Sequence, residues 1–547
     1  MKQGKRWAKR IFSALLTLTM LFVSFPTAFS FDAAAASTTS GKTGKCTWTL
    51  DGTVLTISGN GAMETYSTIQ PSWGREITRV IIKQGVTNVG PGAFAKCIKL
   101  TSVTLSDSVT RIENSAFSGC TNLTNITLPG NVTSIEDSAF SSCTGLTSFT
   151  FPDSVTSIGK SAFSGCTGLT RITIPDGVDY IMHYTFAGCT GLTNITLPGN
   201  VRGIGRGAFG DCINLKSITL PDNLTIICDD AFSNCKSLTS INIPNKLVRI
   251  CKNAFRNCQS LKHVDMPSVE KWCNIIFENS YSTPFVYGAE PYIDGKKVED
   301  LVIPDGVTSI GDFAFSEFSG LRSIDISDSV TNIGEYTFAG CTSLTSITIP
   351  DSVIDLGKGT FLNCKSLASI ALSGGLTSID ESVFYGCTGL TSIAIPSNVK
   401  NIGSYAFYAC TGLTSITFSD SVTSIGESAF RDCKNLTSIT LTDNVTNIGS
   451  YAFLGCTKLA SINIPANVTS IGSQAFYLCE NLKRVDITNI EKWCAIEFGY
   501  QASPLYGTGA DLYLNGKMIE DLVIPDGVTC IGDYCFYGCG SMTGIII

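Results

Sequence analysis

Charge is scarce in this chain of 547 residues: Asp, Glu, Lys and Arg make up 15 % of it, against about 25 % in typical soluble proteins. That argues against an ordinary enzyme surface. Histidine is scarcer still, and His183 and His263 are the only two. So few leave almost nothing for His-based metal sites, His general bases or Ser-His-Asp chemistry. No run of basic residues follows the first ten, and 38 Lys plus Arg against 45 Asp plus Glu give a formal charge of -7, which argues against nucleic acid as the main partner. Long apolar runs are missing too. The longest, Ile11 to Phe25, has 15 residues, short of the roughly 20 that a membrane span needs. No pair of acids, no nucleophile with a base and no phosphate loop stands out, so the expectation is a protein that is not an enzyme and holds no metal or cofactor.

That single apolar run follows Lys2, Lys5, Arg6, Lys9 and Arg10 and precedes the small-residue sites Ala28-Phe29-Ser30 and Ala34-Ala35-Ala36. This is the form of a secretory signal peptide, assigned to residues 1–36. The mature chain is expected to be exported and soluble, with no stable membrane insertion after cleavage.

What the chain has in excess is positional. Phe94, Phe117, Phe140, Phe163, Phe186, Phe209, Phe232 and Phe255 lie 23 residues apart, and so do the eight phenylalanines from Phe315 to Phe476. A fixed period in the twenties signals a solenoid. One unit, from Val155 to Pro175, reads as turn, short helical piece, turn and strand. The alternation Ile172-Thr173-Ile174 gives the strand an inward and an outward face, and Pro175 stops it because proline cannot donate to a ladder. Burying about seven side chains at roughly 2 kcal/mol each does not offset ordering 23 residues at roughly 1–2 kcal/mol each. A single unit is therefore unstable, and stacking is obligatory. The strand register from Ile77-Val80-Ile82 to Met542-Ile545-Ile547 counts 20 strands, a spine on the order of 95 Å long.

The pattern Leu-x-x-Ile-x-Ile-Pro, Val-x-x-Ile-Gly, Ala-Phe-x-x-Cys resembles the BspA-like class of bacterial leucine-rich repeats over roughly residues 40 to 547. The resemblance implies an α/β repeat solenoid, right-handed and curved, with a parallel β spine of about 20 strands and short helical or irregular convex segments. It also implies a secreted or bacterial cell-surface protein that attaches to extracellular proteins or glycans of host or neighbouring cells. A structural spacer or scaffold on the cell surface is the alternative.

The expected organisation is an N-terminal β-hairpin cap over 37–76, a first repeat array over 77–267, an insertion over 268–297, a second array over 298–488, a copy of the insertion over 489–518, and final partial repeats over 519–547. One fixed offset relates the two insertions: Glu270-Lys-Trp-Cys273 matches Glu491-Lys-Trp-Cys494, and Tyr292-Ile-Asp-Gly295 matches Tyr513-Leu-Asn-Gly516. They gather aromatics, Tyr281, Phe285, Tyr287 and Tyr292 in the first and Tyr500, Tyr506 and Tyr513 in the second. These either pack the loop or contact a ligand.

Sixteen of the 23 cysteines sit three residues after the repeat phenylalanine. Identical slots in every coil give pairing no reason to run up or down, and Phe318 occupies the slot once, so the reading favours buried reduced thiols over a disulfide framework. Cys228 with Cys251 is the best candidate for a bridge.

On the outward strand face a row of threonines, Thr104, Thr127, Thr150, Thr173, Thr196 and Thr219, gives way beside the insertions to Lys262, His263 and Asp265, to Arg322 and Asp325, and to Lys483, Arg484 and Asp486. These charges are candidate ligand contacts, since a few anchors on a broad face supply most binding energy. The competing reading has them satisfy the insertion's own backbone. The last segment, Ser541 to Ile547, reads as an open apolar strand available for end-to-end self-association.

Overall fold

The computed structural model describes residues 39–66 and 70–547, so the expected signal peptide lies outside the described residues. Most regular coils contribute two short strands rather than one. The first is the Ser-Ile-Thr segment. In the first array Arg171–Thr173, Asn194–Thr196, Ser217–Thr219, Ser240–Asn242, His263–Asp265 and Glu290–Ile293 pair in parallel, each rung in register with the next. The second is the two-residue segment at Val-x-x-Ile, where Tyr180, Gly203, Ile226, Arg249 and Ile276 occupy successive rungs. The result is a parallel-strand solenoid.

The turn around the phenylalanine carries no helix, and the reason is local. Residues two before and two after the ring have positive φ, as at Ser115 (55°) and Gly119 (73°), or Asn253 (59°) and Asn257 (61°). Two left-handed residues four apart interrupt any run of i to i−4 bonds. Glycine, asparagine, aspartate and serine recur there because they tolerate or offset that conformation. Stacking replaces the helix: Ser115, Phe117 and Gly119 donate their N–H groups to Asp137, Ala139 and Ser141 of the next coil at 2.9, 2.8 and 2.7 Å. The convex side of the regular coils is thus irregular, and among the described residues α-helix occurs only in the two insertions.

The core runs along the stack. Successive repeat phenylalanines are fully buried and lie ring on ring, 5.2–5.8 Å between centroids, within the range of favourable aromatic pairs. Beside them the slot cysteines from Cys97 to Cys479 are buried and unpaired with one another. From Cys120 to Cys479 each slot thiol donates to the phenylalanine carbonyl of the preceding coil, as Cys120 to Phe94 and Cys235 to Phe209 at 3.1 and 3.2 Å. At the amino end Cys46–Asp51 and Val54–Gly59 form an antiparallel hairpin whose second strand joins the spine through Arg79–Ile82. Trp48, Trp73 and Phe94 pack edge to face or tilted and begin the aromatic stack. At the carboxyl end Gly544–Ile546 pairs with Asp521–Val523.

Each insertion completes a coil of its own. In the first, α1 (Val269–Cys273) is capped by Ser268, followed by Ile276–Phe277 on one ladder and Glu290–Ile293 on the other. The second has α2 (Ile490–Cys494), capped by Asn489, then Glu497–Phe498 and Asp511–Leu514. After each, a hairpin folds back on the spine: Lys296–Lys297 pairs antiparallel with Tyr292–Ile293, and Lys517–Met518 with Tyr513–Leu514. The hydrogen-bonded ladders stop there and restart in new sheets beyond.

The stack can be tested at the ring and at the thiol. Phe209→Ala, which empties a fully buried ring position, is expected to cost about 3–5 kcal/mol in urea unfolding. Burial also pushes the thiols of Cys143, Cys212, Cys258, Cys364 and Cys479 from 9.0 up to about 12. A thiol raised in the fold ionises first in the unfolded chain, so its contribution is complete below pH 9 and is lost as pH rises toward 12. The urea midpoint should hold to about pH 9 and fall steeply above it; a midpoint unchanged through that range would mean the slots hold no free thiols.

Candidate binding site

The charged and aromatic residues singled out on the strand face converge beside both insertions. In the first, His263 and Asp265 are two apart on one strand, so their side chains share its outer face. His263 Nε2 and Asp265 Oδ1 are 2.8 Å apart. Tyr292, opposite Asp265 on the next strand, lays its ring against the imidazole with centroids 3.8 Å apart. In the second, Arg484 donates from Nε and Nη2 to both oxygens of Asp486, each at 2.7 Å. Its guanidinium sits 4.0 Å from the ring centre of Tyr513, which lies opposite Asp486. The same triad of nitrogen base, carboxylate and tyrosine is therefore built twice, once beside each insertion. A bidentate ion pair held flat on an aromatic ring is a rigid, planar, half-exposed platform, and rigidity lowers the entropy cost of binding.

The lysines beside the triads serve the insertions' backbone. Lys262 donates from Nζ to the Tyr287 carbonyl at 2.9 Å, and Lys483 to the Thr508 carbonyl at 3.2 Å. Lys297 bridges Glu290 and Glu299 at 2.7 and 3.0 Å, and Arg322 meets Glu299 at 3.1 Å. Asp325 is exposed on the following strand, opposite Val302, which is itself 60 % exposed.

The insertion aromatics divide. Tyr281 is exposed. Tyr287 is half-buried, and its hydroxyl accepts from the Asn257 N–H at 2.8 Å and donates to Asn257 Oδ1 at 3.2 Å. Phe285 is fully buried and is no ligand contact. The turn explains why. Phe255 donates its N–H to Tyr281 as a regular coil's phenylalanine does to the alanine before the next ring, so Ser282 stands in the phenylalanine position and Phe285, three residues later, in the cysteine slot. There it packs 5.5 Å from Phe318, which fills the slot of the next coil, and 5.3 Å from Trp272 of α1. A coil opened by a helix has more interior to fill, and aromatic rings take the place of thiols. In the second insertion the same register puts Ser503 in the phenylalanine position and Tyr506 in the slot, where Tyr506 is less deeply buried than Phe285, and Ala502 and Leu505 beside them are fully buried.

Sequence reasoning missed three features. Tyr513 is the partner of Arg484, a role signalled by its match to Tyr292 in the first insertion. Trp272 and Trp493 are buried keystones of the helices, not loop residues. A cleft of about 280 Å³ lined by Cys273–Phe277 and Ser309–Asp312, and one of about 450 Å³ lined by Cys494–Phe498 and Gly527–Cys530, open where the short ladder is interrupted after each helix. No described helix is long and apolar enough to cross a membrane.

Two strands per coil, an aromatic stack and a cysteine slot define a leucine-rich-repeat solenoid. The family model of the BspA type Leucine rich repeat region matches residues 73–189, 156–283, 291–413, 400–500 and 509–547, and the chain belongs to that family. Among solved structures it is similar to a leucine-rich repeat protein from Bacteroides ovatus, at 28 % identity over 84 % of this chain and 98 % of that one, with a TM-score of 0.35. It is also similar to a leucine rich cell surface protein from Faecalibacterium prausnitzii, at 26 % identity over 84 % and 97 %, TM-score 0.32. A third is the pneumococcal vaccine antigen PcpA, at 17 % identity over 87 % and 98 %, TM-score 0.35. No curated protein matches the chain.

The two helices differ in one testable respect. Trp272 Nε1 donates to the Ala314 carbonyl at 2.7 Å, whereas the buried Trp493 Nε1 has no partner. Trp272→Phe is expected to cost about 1–3 kcal/mol more than Trp493→Phe, read as the difference in urea midpoints.

Proposed function

We propose that the chain is an exported, non-enzymatic binding protein that engages extracellular proteins or glycans of host or neighbouring cells through its exposed strand face, at the bacterial cell surface or after secretion. The observation that carries the reading is the duplicated triad. His263, Asp265 and Tyr292 recur as Arg484, Asp486 and Tyr513, with the nitrogen base changed and the arrangement kept. Backbone support alone does not account for that, because Lys262 and Lys483 supply it while the triads face outward. Membership of a family of surface repeats is consistent with such a role, and fold by itself assigns none. Two like sites on one rigid frame also suit a repetitive ligand, since the second contact becomes intramolecular.

The test is binding of the exported chain to an array of extracellular-matrix proteins and glycans at physiological salt. Replacing one triad by alanines is expected to weaken binding about tenfold or more, and replacing both to abolish it. Binding unchanged in the double replacement removes the triads from the interaction. A folded, monodisperse chain that binds nothing on the array points to a spacer or scaffold.

A further inference from the structure

The short ladder is populated by glycine at one position in most coils, as at Gly334, Gly357, Gly403, Gly426, Gly449 and Gly472. Most of these leave no room: a Cβ at Gly357 or Gly449 would lie against the backbone of the preceding coil. Three consecutive coils break that rule together. Because Ile227 pairs with Ile250 and Ile250 with Phe277, the residues that follow, Cys228, Cys251 and Glu278, occupy successive rungs about 4.8 Å apart. Cys251 donates its N–H to Ile227 at 2.8 Å and Glu278 to Ile250 at 3.3 Å, which fixes that register.

The surroundings are built to match. Ligand atoms of Asp229, Cys251 and Glu278 lie within 4.8 Å of one another. Tyr180 lies across the space left by Gly203 and brings its hydroxyl to 3.5 Å from Cys228 Sγ, two coils on. Arg249 donates from Nη1 to Glu278 Oε1 at 3.0 Å, orienting the carboxylate as an outer-shell group does. Cys251 is 8 % exposed, yet it does not use its sulfur as the slot cysteines do. From Cys120 to Cys479 those thiols donate to a phenylalanine carbonyl, whereas the Cys251 sulfur makes no such bond and lies within 4.8 Å of a Glu278 carboxylate oxygen.

We infer that Asp229, Cys251 and Glu278, whose ligand atoms lie together, form with Cys228 of the preceding rung a binding site for a divalent cation of the zinc class that clips three successive coils together. Two sulfurs and carboxylate oxygens are the donor set of a four-coordinate borderline-soft ion; calcium and magnesium take oxygen alone. On binding, each thiol gives its proton to solvent and its sulfur takes the metal. The molecule carries its own comparison. At the equivalent place beside the second insertion the three rungs hold Gly449, Gly472 and Gly499, so the second array keeps the ladder without the donors, and the donors of the first array are dispensable for the fold.

The experiment uses the exported chain, reduced with a phosphine that does not bind metal, equilibrated with zinc, dialysed against metal-free buffer and analysed for bound metal by atomic emission. About one zinc per chain is expected, with the melting temperature raised by zinc. Cobalt in place of zinc should give the strong visible absorption of tetrahedral thiolate coordination. Cys251→Ser should abolish retention, and Glu278→Gln should weaken it about tenfold or more, with the circular dichroism of both unchanged. Retention by the Cys228→Ser, Cys251→Ser double variant would show that zinc sits elsewhere and overturn the site. So would a folded wild-type chain that keeps no zinc, or a Cys228–Cys251 disulfide in the protein as exported.

Discussion

The structure depends on how a buried turn passes its hydrogen bonds to the next coil. The repeat phenylalanine sits in the interior with its ring, its N–H and its carbonyl all removed from water, and an unpaired buried peptide group costs as much as a hydrogen bond gains. The N–H is met by a carbonyl of the following coil. The carbonyl is met twice, by the N–H three residues on and by a thiol from the following coil, as Phe117 is by Cys120 N and Cys143 Sγ. Cysteine suits that slot because it is small, apolar and carries one weak donor. Burial holds the thiol protonated, which preserves the donor. The ring stack, the left-handed residues that flank it and the row of cysteines are consequences of one constraint repeated every 23 residues.

That repetition makes the fold legible. A fixed period identifies the stacking direction, the inward positions and the family without any coordinates, and the threonine row does face outward, from Thr104 to Thr219. The expected short helical piece is absent from the regular coils. Stacking between coils takes its place, since residues in the turn find their partners in the next coil, where a window of local sequence does not look. Phe285 escapes sequence reading for a related reason. Its composition matches an exposed aromatic loop, while its position three after Ser282 makes it the occupant of the slot, and only the register of the preceding coil reveals that.

The candidate site is half legible. Departures from a monotonous row mark where something other than stacking is selected, and Lys262, His263 and Asp265 are visible on that ground. Which of them face a ligand is not. Lys262 turns to its own insertion, and the partner tyrosine comes from the next strand of the ladder, beyond a helix that breaks the 23-residue period. The duplication of the insertion separates the two kinds of departure. The triads recur in both copies; Cys228, Cys251 and Glu278 occur in one and are replaced by glycine in the other, with Ser450 in place of Asp229. The repeat frame tolerates both states, as expected where neighbouring coils supply nearly all the stability.

The stack depends on the slot cysteines being free donors, and chains rich in cysteine ordinarily form disulfides in an oxidising compartment. The direct measurement is mass spectrometry of the protein unfolded in an alkylating agent with no reductant present. Free thiols in the slots predict an alkyl group on every cysteine from Cys97 to Cys258 that follows a repeat phenylalanine, and on every one from Cys341 to Cys479. Disulfide-linked peptides joining successive slots would contradict it, because a bridged sulfur has no proton to give the phenylalanine carbonyl.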